Sequence, residues 1–268
     1  MNMKFPPRRA ILDIIKKSAN DIFSYYNKLN LDPGYQGHFE NKFCRKFERY
    51  MGGGFADAVN SGTSAVYLSL KSLNLKKKSH ILVSPITDPG TVNAIVECGF
   101  RIKLMDCKKK SYHIDLNSIK ERLSKHVSAV LVVHSAGQAI EDIKEISIFC
   151  KNKGIKLIED CSQAIGAQVR NKKIGSFGDI SAFSLMFKKN VVANGTGGIV
   201  FTKNKKYYNN LIAYADRGKP IWKKNFDALD PNSNIFVSLN FHLDEISCCI
   251  AIYSLSKLNA TIQKEKNL

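Results

Sequence analysis

Between Ile158 and Gly198 the chain reads IEDCSQAIGA, then FSLMFKKN, then NGTGG. This stretch supplies an acid after an apolar run (Asp160), an amide three residues later (Gln163), a hydroxyl (Ser184) and a lysine five residues beyond it (Lys189). A lysine amine condenses with an aldehyde, and a carboxylate beside a pyridine nitrogen keeps that ring protonated and electron-withdrawing. Pyridoxal 5'-phosphate requires both groups. Upstream, Asn60-Ser61-Gly62-Thr63-Ser64 sets a tight turn and hydroxyls at the expected start of a helix. The free N–H groups and dipole of a helix N-terminus suit a dianionic phosphate.

Each residue also has an ordinary explanation. The Ser/Thr turn could serve only as a helix cap, Asp160 as a charge at a strand end, and Gln163 as a cap on the following turn. Glu159 precedes Asp160 and points the opposite way along a strand, so only one of the two can face a cofactor. Spacing alone does not choose between Lys188 and Lys189. An apolar FSLMF run before the pair and glycines after it, which permit close approach to a ring, favour a lysine drawn into a site. His113, His134 and His242 read as hydrogen-bonded structural groups and stay outside the catalytic set.

The elements that must position these groups alternate. Apolar spacing predicts a helix from Arg9 to about Asn30, a break at Asp32-Pro33-Gly34, and a second helix over His38–Tyr50 closed by Gly52-Gly53-Gly54. Strand-like runs follow at Ala56–Val59, Ile81–Val83, Arg101–Met105, Ala129–Val133, Lys156–Ile158, Ser181–Leu185 and Gly198–Thr202. Helical patterns lie between most of them, at Thr63–Leu73, Thr91–Glu97, Leu116–Leu123, Ile143–Lys153 and Lys205–Ala215. This alternation predicts an α/β fold with a largely parallel sheet flanked by helices. Ligands then collect at the carboxyl ends of strands, where Asp160 and the 60–64 turn fall. A polar loop after Gly218, a strand-like IFVSLNF and a final amphipathic helix over Leu243–Asn259 complete the reading.

Composition narrows the class. Hydrophobic residues at 44% and charged residues at 24% describe a globular chain with one large core, and no apolar stretch nears the roughly 20 residues of a membrane span. MNMKFPPRRAIL lacks an apolar leader core, and seven scattered cysteines contain no C-x-x-C pair. A reduced cytoplasm is the expected compartment. The net charge of +18 comes from short lysine groups between elements rather than one stripe. Solvated loops explain it better than nucleic acid, and a positive field would also attract a diphosphate.

Taken together, GYQGHFENKFCRKFERY, AVNSGTSAVYLSL, ITDPGTVNAIVECGF, LVVHSAGQ, LIEDCSQAIGA, SFGDISAFSLMFKKN, GTGGIVF and LNFHLDEISCCIAIYSL resemble the DegT/DnrJ/StrS family of pyridoxal-phosphate-dependent nucleotide-sugar aminotransferases. The resemblance covers Gly34 to the C-terminus. It implies an aspartate aminotransferase-like (type I) large domain and a homodimer with shared active sites. It implies Lys189 as the cofactor's lysine, Asp160 as the ring-nitrogen partner and Gln163 as a neighbouring ring contact. Gly62, Thr63 and Ser184 take phosphate positions, and Asn240 matches an asparagine reaching the phosphate from the other subunit. The implied reaction moves an amino group from an amino acid, glutamate in most relatives, to a keto group of a nucleotide-linked sugar, for amino-sugar or surface-polysaccharide biosynthesis. Neither nucleic acid nor membrane is an implied partner.

The chain also departs from the family. Asp88 stands where an aromatic side chain usually stacks over the ring, Thr196 where the glycine-rich segment carries an acid, and His242 where an arginine is usual. The expected division is a helical segment at 1–37, the cofactor-binding large domain at 38–260, and at 261–268 the truncated start of a C-terminal small domain that is otherwise missing. Substrate contacts are expected in Asp88–Asn93 and Gly218–Asn234. A deoxysugar dehydratase on the same cofactor and a non-catalytic regulatory relative are the alternatives, with nucleic-acid binding last.

Overall fold

Proline and glycine mark the element ends in the computed structural model, which describes residues 10–266. Helix α1 (Ala10–Leu29) stops ahead of Pro33-Gly34, and the expected start at Arg9 lies outside the described residues. Helix α2 (His38–Met51) ends at Gly52, whose left-handed backbone (φ 85°) turns the Gly52 and Gly53 N–H groups back to the Arg49 and Glu48 carbonyls. Then follow β1 (Phe55–Val59), α3 (Gly62–Ser72), β2 (His80–Val83), α4 (Pro89–Glu97), β3 (Arg101–Leu104) and α5 (Leu116–Arg122). The chain continues through β4 (Val127–Val133), α6 (Ile143–Asn152), β5 (Lys156–Asp160), the short hairpin β6 (Gln168–Val169) and β7 (Lys172–Lys173), β8 (Ile180–Ser184) and β9 (Gly198–Thr202). Helices α7 (Lys205–Ala215), α8 (Glu245–Ser256) and α9 (Leu258–Lys266) close the described chain.

Seven strands form the main sheet in the order β1-β9-β8-β5-β4-β2-β3. The pairs β3–β2, β2–β4, β4–β5 and β5–β8 are parallel, and β9 alone runs antiparallel, to both β8 and β1. Every residue of β8 and β9 is buried, as strands covered on both faces require. One face packs under α3, α4 and α7 through residues such as Leu68, Ile95 and Leu211. The other is covered in two parts, by Ile119, Ile143 and Ile146 from α5 and α6, and by Phe43, Phe47 and Ile252 from α2 and α8. Phe43 and Phe47 are fully buried, each worth about 1.5–3 kcal/mol of hydrophobic stabilisation.

A carboxylate fixes the helical layer. Glu245, the first residue of α8, accepts from the Phe39 and Glu40 N–H groups at 2.8 and 2.7 Å and from the Tyr26 hydroxyl at 2.5 Å. It thereby caps α2, whose own Gly37 offers no side chain, and pins α1 to the same point. A Cβ on Gly37 would lie 2.7 Å from that carboxylate.

Three expectations need correction. Asp160 is the last residue of β5 rather than a residue beyond it. The strand-like 235–241 segment forms no strand; its neighbourhood holds only isolated bridges, Asp216 to Asn240 and Val59 to His242, because it runs past the sheet's end. The final helix breaks at Lys257 into α8 and α9, and α8 is buried almost all round between α1, α2 and the sheet rather than amphipathic.

Candidate functional site

A cavity of about 280 Å³ opens at the carboxyl ends of β4, β5 and β8. It is lined by Gly62, Thr63, Asp160, Gln163, Ser184 and Lys189, so six of the seven residues singled out from the sequence converge there. Asn240 does not. It is exposed on the bridge to Asp216, where its side-chain oxygen accepts from the His242 N–H at 3.0 Å.

The 60–64 turn builds one wall. Ser61 caps α3, accepting from the Ser64 N–H at 3.0 Å, and the Ser64 hydroxyl donates to the Asn60 side chain at 2.6 Å. Ser61 and Ser64 therefore serve the turn, while Gly62 and Thr63 present the first turn of α3 to the cavity. Gly62 lies so close to Ser184 that a Cβ would sit 2.7 Å from the serine Cβ. A Cβ on Gly90, in α4's first turn, would lie 2.5 Å from Thr63 Oγ1, so two helix N-termini face the same space. Thr196 donates to the Asn60 carbonyl at 2.8 Å and ties the glycine-rich loop to this turn.

The opposite wall carries the carboxylate. Asp160 is 3% exposed; one oxygen accepts from the Ser162 N–H at 3.0 Å and the other from the Thr91 hydroxyl at 2.8 Å. Both partners are donors, and they fix the orientation of the carboxylate. Gln163 uses its side-chain oxygen to accept from the Ala136 N–H at 3.1 Å, which leaves its NH2 group as the donor side. Asp88 caps α4, accepting from the Gly90 N–H at 2.8 Å, and lines the cavity where a stacking aromatic was expected. Thr87 Oγ1 is buried beside it with no partner among the described residues. Lys189 lines the cavity, whereas Lys188 is exposed, has a left-handed backbone (φ 71°) and rests its ammonium 5.4 Å from the Phe187 ring centroid.

Glu159 faces away from all of this, as strand alternation requires. One oxygen accepts from the Phe177 and Gly178 N–H groups at 2.7 and 2.6 Å, the other from the Gly175 N–H at 2.8 Å and from His134 Nε2 at 3.1 Å. His134 Nδ1 accepts from the Ile140 N–H at 3.1 Å, so the proton lies on Nε2. Cys161 lies near both, and the Glu159 oxygens and His134 Nδ1 already accept from the donors named, so the pair joins β5 to the 175–178 turn. His113 likewise accepts from the Ser135 N–H at 3.1 Å. Thr91 falls in the 88–93 stretch expected to meet substrate, but its role as a donor to Asp160 was not foreseen, because nothing local signals a partner 69 positions away.

The architecture is that of the fold type I aminotransferases. It superposes on an aminotransferase from Psychrobacter cryohalolentis with a TM-score of 0.82 at 22% identity, over 95% of this chain and 62% of that one. It also superposes on the Helicobacter pylori aminotransferase of pseudoaminic acid biosynthesis at 0.81 and 24% identity, over 91% and 63%. The chain belongs to the DegT/DnrJ/EryC1/StrS aminotransferase family, whose model matches residues 21–268. Among curated proteins it is 27% identical to a GDP-perosamine synthase of Vibrio cholerae, over 87% of this chain and 61% of that protein. It is 29% identical to a UDP-4-amino-4,6-dideoxy-N-acetyl-beta-L-altrosamine transaminase of Campylobacter jejuni, over 96% and 64%. The chain spans about three fifths of the length of the curated relatives it matches. No described helix is long and apolar enough to cross a membrane.

Proposed function

We propose that this chain carries the cofactor site of a pyridoxal-phosphate-dependent aminotransferase that moves nitrogen from an amino acid, glutamate in the first instance, to a keto group of a nucleotide-linked sugar. One observation carries the reading: a lysine, a donor-satisfied carboxylate and two helix N-termini share one cavity at the strand ends. The residues fit the cofactor. Gly62 leaves a cradle beside Ser184 that a Cβ would fill, the first turn of α3 and the Thr63 and Ser184 hydroxyls suit a phosphate, and Thr87 Oγ1 is a polar atom awaiting a partner. When bound, pyridoxal phosphate supplies an electron sink for bond changes at the donor's α-carbon.

The protein's share of the chemistry is to hold and move protons. Lys189 Nζ would hold the cofactor's carbonyl carbon and, once displaced by the donor amine, would take a proton from one carbon and return it to another. Asp160 would face the ring nitrogen, and the Thr91 and Ser162 donors hold its carboxylate in place for that task. Gln163 would turn its NH2 toward the ring hydroxyl. The net charge of +18 favours arrival of a sugar diphosphate.

We infer that the protein works as a cytoplasmic homodimer. Val237 and Leu239 are 98% and 67% exposed beside Asn240, which supports that segment meeting a second copy and lending Asn240 to its phosphate. Dehydration of a deoxysugar is the second reading, favoured by superposition on a GDP-4-keto-6-deoxymannose-3-dehydratase with a TM-score of 0.82. The visible spectrum with added cofactor, then glutamate, tests the proposal. A band that needs Lys189 and is bleached by glutamate is expected; a band unaffected by Lys189→Ala would overturn it.

A further inference from the structure

The cofactor site leaves unused a second buried group of charges, beneath the segment that carries Asn240. His242 has a side chain only 3% exposed, stacked on Tyr35 with centroids 4.7 Å apart and planes 12° apart. Its Nδ1 lies 3.8 Å from Glu40 Oε1 of α2, and its Nε2 lies 3.6 Å from Asp216 Oδ2 just after α7. Both distances are longer than a hydrogen bond, so neither ring nitrogen has a hydrogen-bond partner among the described residues. Asp57, from β1, is buried in the same group with one oxygen likewise unpartnered. Asp216 also binds Arg217 at 2.7 Å and Lys219 at 3.0 Å, and the Cys44 and Cys248 thiols and the Tyr208 hydroxyl complete the surround.

Asp216 has Arg217 and Lys219 as cations of its own, whereas Glu40 and Asp57 share only the imidazole among these groups, and a charged ring offsets them. An arginine, usual at this place in the family the sequence resembles, would be charged at every physiological pH; a histidine is not. Among the described residues the segment is held by few other backbone bonds: Ile235 N–H to Gly218, Phe241 N–H to Ala215, Arg217 N–H to Leu239, and Asn60 N–H to Phe241. We propose that His242 is a positioning residue: doubly protonated, it ties the segment carrying Asn240 to α2, β1 and the end of α7, and its deprotonation loosens that segment.

The titration runs in one direction. Burial alone pushes His242 down, but the charges of Glu40, Asp57 and Asp216 outweigh it and raise it above the ordinary histidine value. Burial pushes Asp57 up to about 7, with Glu40 and Asp216 adding and His242 opposing. A histidine raised by folding contributes stability in full below its ordinary value of about 6.5, and that contribution is lost as pH rises through the raised value. The folded state also favours protonated Asp57, so its contribution is lost as pH rises to about 7 and works in the same sense over that range. The segment is therefore tightest on the acid side of neutrality. Its bearing on a cofactor rests on the reading of Asn240 given above; the loosening itself does not.

Hydrogen–deuterium exchange on the full chain tests this, using the Asn60, Arg217 and Phe241 amides between pH ~6 and ~8.5, corrected for intrinsic exchange and referred to the β4–β5 amides. Wild-type protection should fall about tenfold as pH rises. His242→Arg should hold it high throughout, and His242→Gln should hold it low. A flat wild-type profile, or the same fall in His242→Arg, overturns the proposal. If His242→Arg does not fold, Asp57→Asn should move the wild-type fall to lower pH, and an unmoved profile overturns it equally. Parallel cofactor titration separates the two readings: falling protection with unchanged cofactor affinity keeps the clasp and removes Asn240 from the phosphate site.

Discussion

Glu159 and Asp160 are adjacent carboxylates on one strand, and their surroundings differ in kind. Glu159 is fully buried and receives four donors, three of them backbone N–H groups of the 175–178 turn. It holds β5, the 175–178 turn and His134 in one register. Asp160 receives two donors and turns its remaining acceptor capacity toward a cavity. A carboxylate satisfied on every side stabilises a fold; one satisfied on half its sides is prepared for a group from outside. The difference is made by one step of strand alternation and by which loops return to each face.

Breaking the structural member should have the largest effect. Glu159→Ala strands three buried N–H groups and the His134 donor, and urea unfolding should show a loss of about 3–5 kcal/mol. A loss under about 1 kcal/mol would dissolve the contrast. Asp160→Asn should behave oppositely. Its amide oxygen still accepts from Ser162, and its NH2 can donate to the Thr91 hydroxyl, so the unfolding midpoint should hardly move. Titration with pyridoxal phosphate should nevertheless show affinity down about tenfold or more, through loss of a charged pairing. Thr91→Val removes one donor to that carboxylate and should weaken the cofactor by about threefold to tenfold, with Thr91→Ser restoring it. Lys188→Ala should be the quietest change, within about 0.5 kcal/mol in stability and with the Lys189-dependent absorption intact.

The parts of the fold legible in the sequence were those written in local periodicity. Helix α7 and strand β9 begin and end where the sequence placed them, and the other expected elements up to α7 moved by one or two residues. Strand direction is not written locally: β9 has the same buried apolar look as its neighbours, and only the path of the chain makes it antiparallel. The 235–239 run alternates like a strand, yet Val237 and Leu239 face outward, so its periodicity reports an exposed face rather than a sheet. The β6–β7 hairpin hid behind its brevity, although Arg170 and Asn171, both at positive φ, form its turn. At the site, the helix-opening turn and Asp160 were visible as residue types in order. Choosing Lys189 over Lys188 needed the resemblance, because the turn that separates them lies in the backbone at Lys188. The donor role of Thr91 and the charges around His242 were invisible because their partners come from distant elements.

The antiparallel strand also sets an order of assembly. β1 and β9 are paired although about 140 residues separate them, whereas β2 to β5 pair with strands much nearer in sequence. Such long-range pairing carries a high closure entropy and comes late. The turn at 60–64 follows β1 directly and abuts Gly198, the first residue of β9, where a Cβ would lie 2.3 Å from the Ser61 carbonyl oxygen. During synthesis the strands in the middle of the sheet therefore emerge with their partners before the phosphate-facing turn has its β9 wall.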